Sequence, residues 1–234
     1  MSFTEPTPKG SFDLFGPVHK GLRMAHANLM IRLGAVELED DRALSGLLQH
    51  LREHLRLCQD YQGYEETVIH AALAPHAPGA VQDLDDAHQS VRAILEEIEI
   101  AARSLETAPP AGRRRAARAL YLAYSRFVAA NLAHMAEDEE ETLPLLQALF
   151  DDEALLAMKT RIVAGLTPFL GAAMLRMMVP AVRHEERLRM LRAIRDSAAP
   201  AVFADLMDDV VRPSLAQREW RRLNAELAPA AKAA

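Results

Sequence analysis

Residues 134–144 read HMAEDEEETLP. A histidine is followed, two residues later, by five acids in a row, Glu137 to Glu141. Acidic runs on helices are normally solvated faces. Helical facing sorts this one differently. At about 100° per residue, Leu120, Tyr124, Phe127, Leu145 and Leu149 share one apolar stripe. His134 lies on its edge, and Asp138, one turn on, falls near its middle. Glu137 and Glu140 point away, while Glu139 and Glu141 sit on the two borders. An acid in the middle of an apolar stripe needs a partner, because burying it unpaired is strongly unfavourable.

That stripe belongs to the last of four long helical segments separated by breakers. They run from about Phe12 to Val36, Arg42 to Ala74, Val81 to Glu106 and Arg113 to Phe150. ELEDD (37–41), PHAPGA (75–80) and TAPPAG (107–112) interrupt them. Similar lengths and short loops predict antiparallel neighbours. The expected fold is all-α: an up-down-up-down four-helix bundle over 12–150, followed by a small helical module over 151–227. The module is punctuated by Gly165, Pro168, Pro180, SAAP (197–200) and Pro213. Its methionine-rich LGAAMLRMMVPAV (170–182) reads as adaptable core packing, and the APAAKAA tail (228–234) as frayed.

Composition narrows the function. The chain has 234 residues, half of them hydrophobic but only 5% aromatic, with a net charge of −6. That charge argues against a nucleic-acid surface. A single cysteine, Cys58, excludes a disulfide framework and a CxxC metal site. No signal peptide and no transmembrane stretch are visible. A soluble cytoplasmic protein without membrane or nucleic-acid partners is expected. There is no phosphate loop, dinucleotide fingerprint or nucleophile–base pair, so the reading leans away from an enzyme and leaves an iron-dependent oxidase or peroxidase activity open.

The other three segments repeat the pattern of polar residues inside an apolar stripe. On the second, His54, Tyr61 and Glu65 lie with Leu44, Leu47, Leu51, Cys58 and Ile69; Glu66 is peripheral and His70 faces away. On the first, His19 and His26 share a face with Phe12, Phe15, Leu22, Met30 and Leu33. On the third, His88 borders Leu84, Val91, Leu95 and Ile98. Counting back from the loops puts His19, Tyr61, Glu65, His88, His134 and Asp138 at one level. A thinner layer holds His26 and His54 near Cys58, and reads as hydrogen-bonded core. Imidazoles and carboxylates converging in an apolar interior suit iron, manganese or zinc.

The set resembles the hemerythrin-like, or HHE cation-binding, family. The resemblance rests on His19 in PVHKGLR, Glu65 in YEETVIHAAL, His88 in DDAHQSV, and His134 with Asp138 or Glu139 in HMAEDEEETLP, in that order across roughly 12–150. It implies a four-helix bundle holding a non-haem di-iron centre, with iron as mono- or di-iron, or another divalent metal, bound by His19, Glu65, His88, His134 and Asp138. Tyr61, Glu139 and His54 are reserve ligands. The family's role implies O2 or NO binding, peroxide response or iron handling. Two positions depart from the pattern: Tyr61 stands where a histidine should precede Glu65, and Arg92 where hemerythrins proper carry a second histidine after His88. The contrasting reading is a metal-free interaction protein, dimerising through the C-terminal module.

Overall fold

The computed structural model describes residues 9–227, and these are all-helical with no strand among them. The APAAKAA tail lies outside the described residues, as do the first eight. The expected segments appear as α1 (Gly16–Ala35), α2 (Asp41–Tyr64), α4 (Pro78–Glu106) and α5 (Pro110–Glu137). α2 continues through a π-helical segment, Glu65–His70, into α3 (Ala71–Leu73). α5 continues through a second one, Asp138–Thr142, into α6 (Leu143–Leu149). Then follow α7 (Asp152–Gly165), α8 (Pro168–Ala181), α9 (His184–Ser197), α10 (Pro200–Leu206), a third π segment (Met207–Val211), a 3₁₀ turn (Arg212–Ser214) and α11 (Gln217–Leu227). Local chemistry sets the starts. Asp40 caps α2 by accepting from Ala43 N–H at 2.9 Å, and prolines open α4 and α5, where a missing N–H costs nothing.

Contacts divide the chain into two units. Of the described residues, the first takes 9–15 together with 25–165; the second takes 16–24 together with 166–227. The division follows Gly165 rather than Phe150, and α7 joins the first unit. Its Leu155, Met158 and Ile162 are buried with Phe15, Val68, Ile69, Leu73, Leu84 and Leu146.

Within the first unit the long helices pair antiparallel. Arg52, in the first half of α2, binds Glu99 and Glu106 at the far end of α4, at 3.3 and 2.9 Å. His70, past the end of α2, meets Asp85 near the start of α4 at 2.8 Å. α4 and α5 run opposite in the same way, with Glu97 on Arg126 at 2.7 Å and His88 on His134 at 2.9 Å. The second half of α1 lies against α5, where Met30 receives the Ser125 hydroxyl at 3.4 Å. A Cβ at Gly34 would sit 3.3 Å from the Tyr121 ring, so the absence of a side chain allows the close approach.

The two π segments explain where the side chains depart from simple helical facing. A π turn takes in an additional residue, so the face beyond it is offset. His70, expected to face away, is buried. Leu146 is the fully buried leucine of α6, whereas Leu145 and Leu149 are only partly covered. The offset also separates the acids: Glu140 and Glu141 are exposed, Glu137 and Glu139 half-buried, and Asp138 buried.

The second unit has its own core of Val179, Leu188, Leu191, Met207, Val211, Leu223 and Leu227. Met174 and Met177 are buried too, as the packing reading of that stretch expected. Buried Arg187 donates its Nε to the Val179 carbonyl at 2.7 Å and Nη2 to the Val182 carbonyl at 3.2 Å. It thus caps the C-terminal end of α8 with positive charge. No single helix among the described residues is long and apolar enough to cross a membrane.

The place of α7 in the first unit is testable by truncation of neighbouring leucines. Leu155 is fully buried and Leu156 half-exposed. Leu155→Ala is expected to cost about 2–5 kcal/mol, and Leu156→Ala within about 0.5 kcal/mol, read from denaturant unfolding followed by circular dichroism. Equal costs would remove α7 from the core.

Candidate metal centre

Each π segment opens on one of the two acids singled out in the sequence, Glu65 and Asp138. π turns inside α-helices frequently mark functional sites. Here the wider turns set both carboxylates among the helices of the first unit. Glu65 and Asp138 are each 3% exposed, His134 is 7% and His88 is 0%. These values matter because burial withdraws four ionisable groups from bulk solvent.

The four groups converge. The Nε2 atoms of His88 and His134 face each other at 2.9 Å, with ring centroids 4.7 Å apart and planes near perpendicular. A Glu65 oxygen stands 3.5 Å from His88 Nε2, and an Asp138 oxygen 3.4 Å from His134 Nε2. One atom from each of Glu65, His88 and His134 lies within 4.8 Å of the other two.

A second layer of groups aims the first. Glu66 accepts from His88 Nδ1 at 2.9 Å, which turns Nε2 inward. Arg92 holds the same Glu66 oxygen at 2.6 Å. The departure at Arg92 therefore does not put a guanidinium on Glu65; it anchors the carboxylate behind His88. His70 Nδ1 meets Asp85 at 2.8 Å, and its ring lies 5.0 Å from that of His88. Tyr61 hydrogen-bonds Glu65, and Thr142 hydrogen-bonds Asp138.

The electrostatics follow from burial. Burial, then the charge of Glu65, raises the Asp138 pKa well above the usual carboxylate range. Burial, then Glu65, keeps the Tyr61 phenol protonated far above its ordinary value. For His88, burial alone would lower the pKa, but its bonds to Glu65 and Glu66 prevail and raise it. For Glu66, burial would raise the pKa, yet Arg92 and then His88 lower it.

This donor set fits a cation. Two imidazole nitrogens and two carboxylates are directed into one apolar region, and a carboxylate stands behind one imidazole as metal-bound histidines require. Imidazole with carboxylate suits iron, manganese or zinc.

The sequence-derived candidates divide as follows. Glu65, His88, His134 and Asp138 come together, with Tyr61 beside Glu65. Glu139 is half-buried next to Asp138 in the chain. His54 is drawn instead to His26 and Cys58. His19 is buried on α1, in the stretch 16–24 that groups with the second unit. Glu66 and His70 were missed as supporting residues. His70 falls off the stripe when facing assumes an unbroken α-helix across residue 65, whereas Glu66 is peripheral, as its spacing implies, and reaches His88 from there.

The raised Asp138 pKa gives the metal-free chain a defined pH dependence. An acid raised in the folded state stabilises fully below its unfolded value near 3.8, and the contribution is lost as pH rises through the folded value. Asp138→Asn removes both the titration and the buried charge. In chelator, the variant should gain roughly 1–3 kcal/mol over wild type at about pH 8 and little or nothing at about pH 4. An equal or lower melting temperature at the higher pH would mean that the protein itself compensates this charge.

No family model, no curated protein and no solved structure matches this chain.

Proposed function

We propose that the second half of α1 with α2, α4 and α5 forms an up-down-up-down four-helix bundle, and that the chain is a hemerythrin-like, non-haem iron-binding protein. The antiparallel pairings across the first unit support the bundle. The convergence of Glu65, His88 and His134 within 4.8 Å, with Asp138 beside His134, is the observation that carries the function.

Glu65, His88, His134 and Asp138 would hold the iron. His19 joins this set on its place in PVHKGLR. Bound there, iron supplies reversible binding of O2 or NO, or reaction with peroxide. The chain's own residues do the rest. Glu66, fixed by Arg92, keeps His88 Nε2 directed inward. Tyr61 hydrogen-bonds Glu65 and is assigned a positioning role, because burial and Glu65 both oppose loss of its proton. The apolar residues around the cluster exclude water, which strengthens every polar interaction inside.

The substitution of a histidine by Tyr61 reduces the nitrogen donors available to the centre. A sensor, a stress-response protein or an iron-handling protein tolerates that better than a bulk oxygen carrier does. The competing interaction-protein reading drew on the methionine-rich stretch, but Met174 and Met177 are already buried.

Metal analysis tests the reading directly. Full-length protein from iron-supplemented cells should carry about one to two equivalents of iron by plasma mass spectrometry. His134→Ala with Asp138→Ala should remove it while the helical signal stays. Less than about 0.2 equivalents of iron, manganese and zinc together would end the metal reading. Tyr61→Phe separates two roles for the phenol. A positioning residue is expected to leave the visible spectrum unchanged while weakening affinity about 10- to 100-fold; loss of a broad visible band would instead make Tyr61 a ligand.

A further inference from the structure

A second polar cluster lies in the first unit, outside the residues assigned to iron. His26 comes from α1, and His54 and Cys58 from consecutive turns of α2. His54 Nε2 is 3.0 Å from His26 Nδ1 and 3.7 Å from Cys58 Sγ. One donor atom from each of the three lies within 4.8 Å of the other two. The Tyr124 hydroxyl, from α5, stands 3.3 Å from the same His26 Nδ1. All four residues are buried, and the Phe127 ring packs edge-on against His26 at 5.5 Å.

Ordinary hydrogen bonding serves this cluster poorly. The two imidazoles meet nitrogen to nitrogen and share one proton between them. The thiol converges on the same His54 nitrogen, which has one lone pair to offer. His26 Nε2 is buried with no hydrogen-bond partner. The separations suit a cation better. Donors bound at about 2.0 Å for nitrogen and about 2.3 Å for sulfur around a tetrahedral ion lie about 3.3 Å apart for two nitrogens and about 3.5 Å for nitrogen and sulfur. The observed 3.0 and 3.7 Å are within a few tenths of an ångström of these.

We propose that His26, His54 and Cys58 form a second metal site, taking a single thiophilic d¹⁰ cation, zinc or cuprous copper. Thiolate with imidazole selects these ions over the harder ones that carboxylates favour. Burial holds the imidazoles neutral, with pKa values lowered to about 4 for His26 and about 3 for His54, so their lone pairs remain available at neutral pH. Burial also pushes the Cys58 thiol up to about 12. Metal entry therefore displaces the thiol proton to solvent, and the sulfur lone pair forms the metal bond with no change of oxidation state. Tyr124 is the neighbouring hydroxyl available for a fourth position. The proposal stands on this geometry and does not depend on the iron reading.

The test uses the full-length chain with His134→Ala and Asp138→Ala, so that the first centre cannot contribute. The reduced protein is titrated anaerobically with Co(II), the spectroscopic stand-in for zinc, and separately with Cu(I), both as folded protein and during refolding from guanidinium. One ion should be retained at a single equivalent, with a sulfur-to-metal charge-transfer band in the near ultraviolet. Cys58→Ser, which changes one atom and keeps the core filled, should abolish the band and the retention. A Co(II) signal assigns the site to zinc and a Cu(I) signal to copper. Retention of neither ion, or equal retention by Cys58→Ser, overturns the proposal.

Discussion

An ionised carboxylate cannot be left alone in an apolar interior, and the first unit buries two, Glu65 and Asp138. Much of the surrounding structure answers that constraint. Each acid opens a π segment, each has an imidazole within 3.5 Å, and each has a hydroxyl partner, Tyr61 or Thr142. The imidazoles are constrained in turn, His88 by Glu66 and Glu66 by Arg92. The polar chain ends at Arg92, which is partly exposed and can be solvated.

The π segments link this chemistry to packing. A wider turn is a poorer helix, so it persists only when tertiary contacts over-determine it. Val68 and Ile69 lie inside the first π segment and Leu146 just beyond the second, and all three belong to the core shared with α7. The same turn that places Glu65 thus directs its neighbours into the apolar cluster. Conversely, the offset turns His70 inward, where Asp85 receives it. Ile69 shares the face of Glu65 even in an unbroken α-helix; the residue whose inward position departs from that facing is His70.

Legibility in the sequence follows the same physics. Helix existence was readable because prolines, Asp40 and the loop signals act locally; segment ends agree to within a few residues. Glu65, His88, His134 and Asp138 were readable because 100° facing holds up to the residue at which each π turn begins. Beyond those points facing holds only in part: Ile69 is buried as its stripe implies, but His70 turns inward instead of away, and Leu146 is buried in place of Leu145 and Leu149. A π turn has no composition signal; it is imposed by packing across helices. The inclusion of α7 in the first contact unit has no local signal either. Phe150 ends an apolar pattern and Asp151 begins a capped helix, a local break that carries no information about which core α7 joins.

α2 concentrates these demands on one helix. His54, Cys58, Tyr61 and Glu65 recur at spacings of four, three and four, a polar line within the buried face. At 1.5 Å per residue that line covers about 16 Å. Such a line weakens the helix as a packing element, since each polar group forfeits burial of an apolar side chain and must find a partner. The compensation sits at the two ends. Leu44, Leu47, Leu48 and Leu51 are buried before the line, and Val68, Ile69 and Leu73 after it. Leu55 and Leu57 are buried within that stretch as well, so apolar packing continues beside the polar line. The middle of α2 therefore carries polar convergence and apolar packing side by side, and Tyr61, lying between Cys58 and Glu65, belongs to the passage from one cluster to the other.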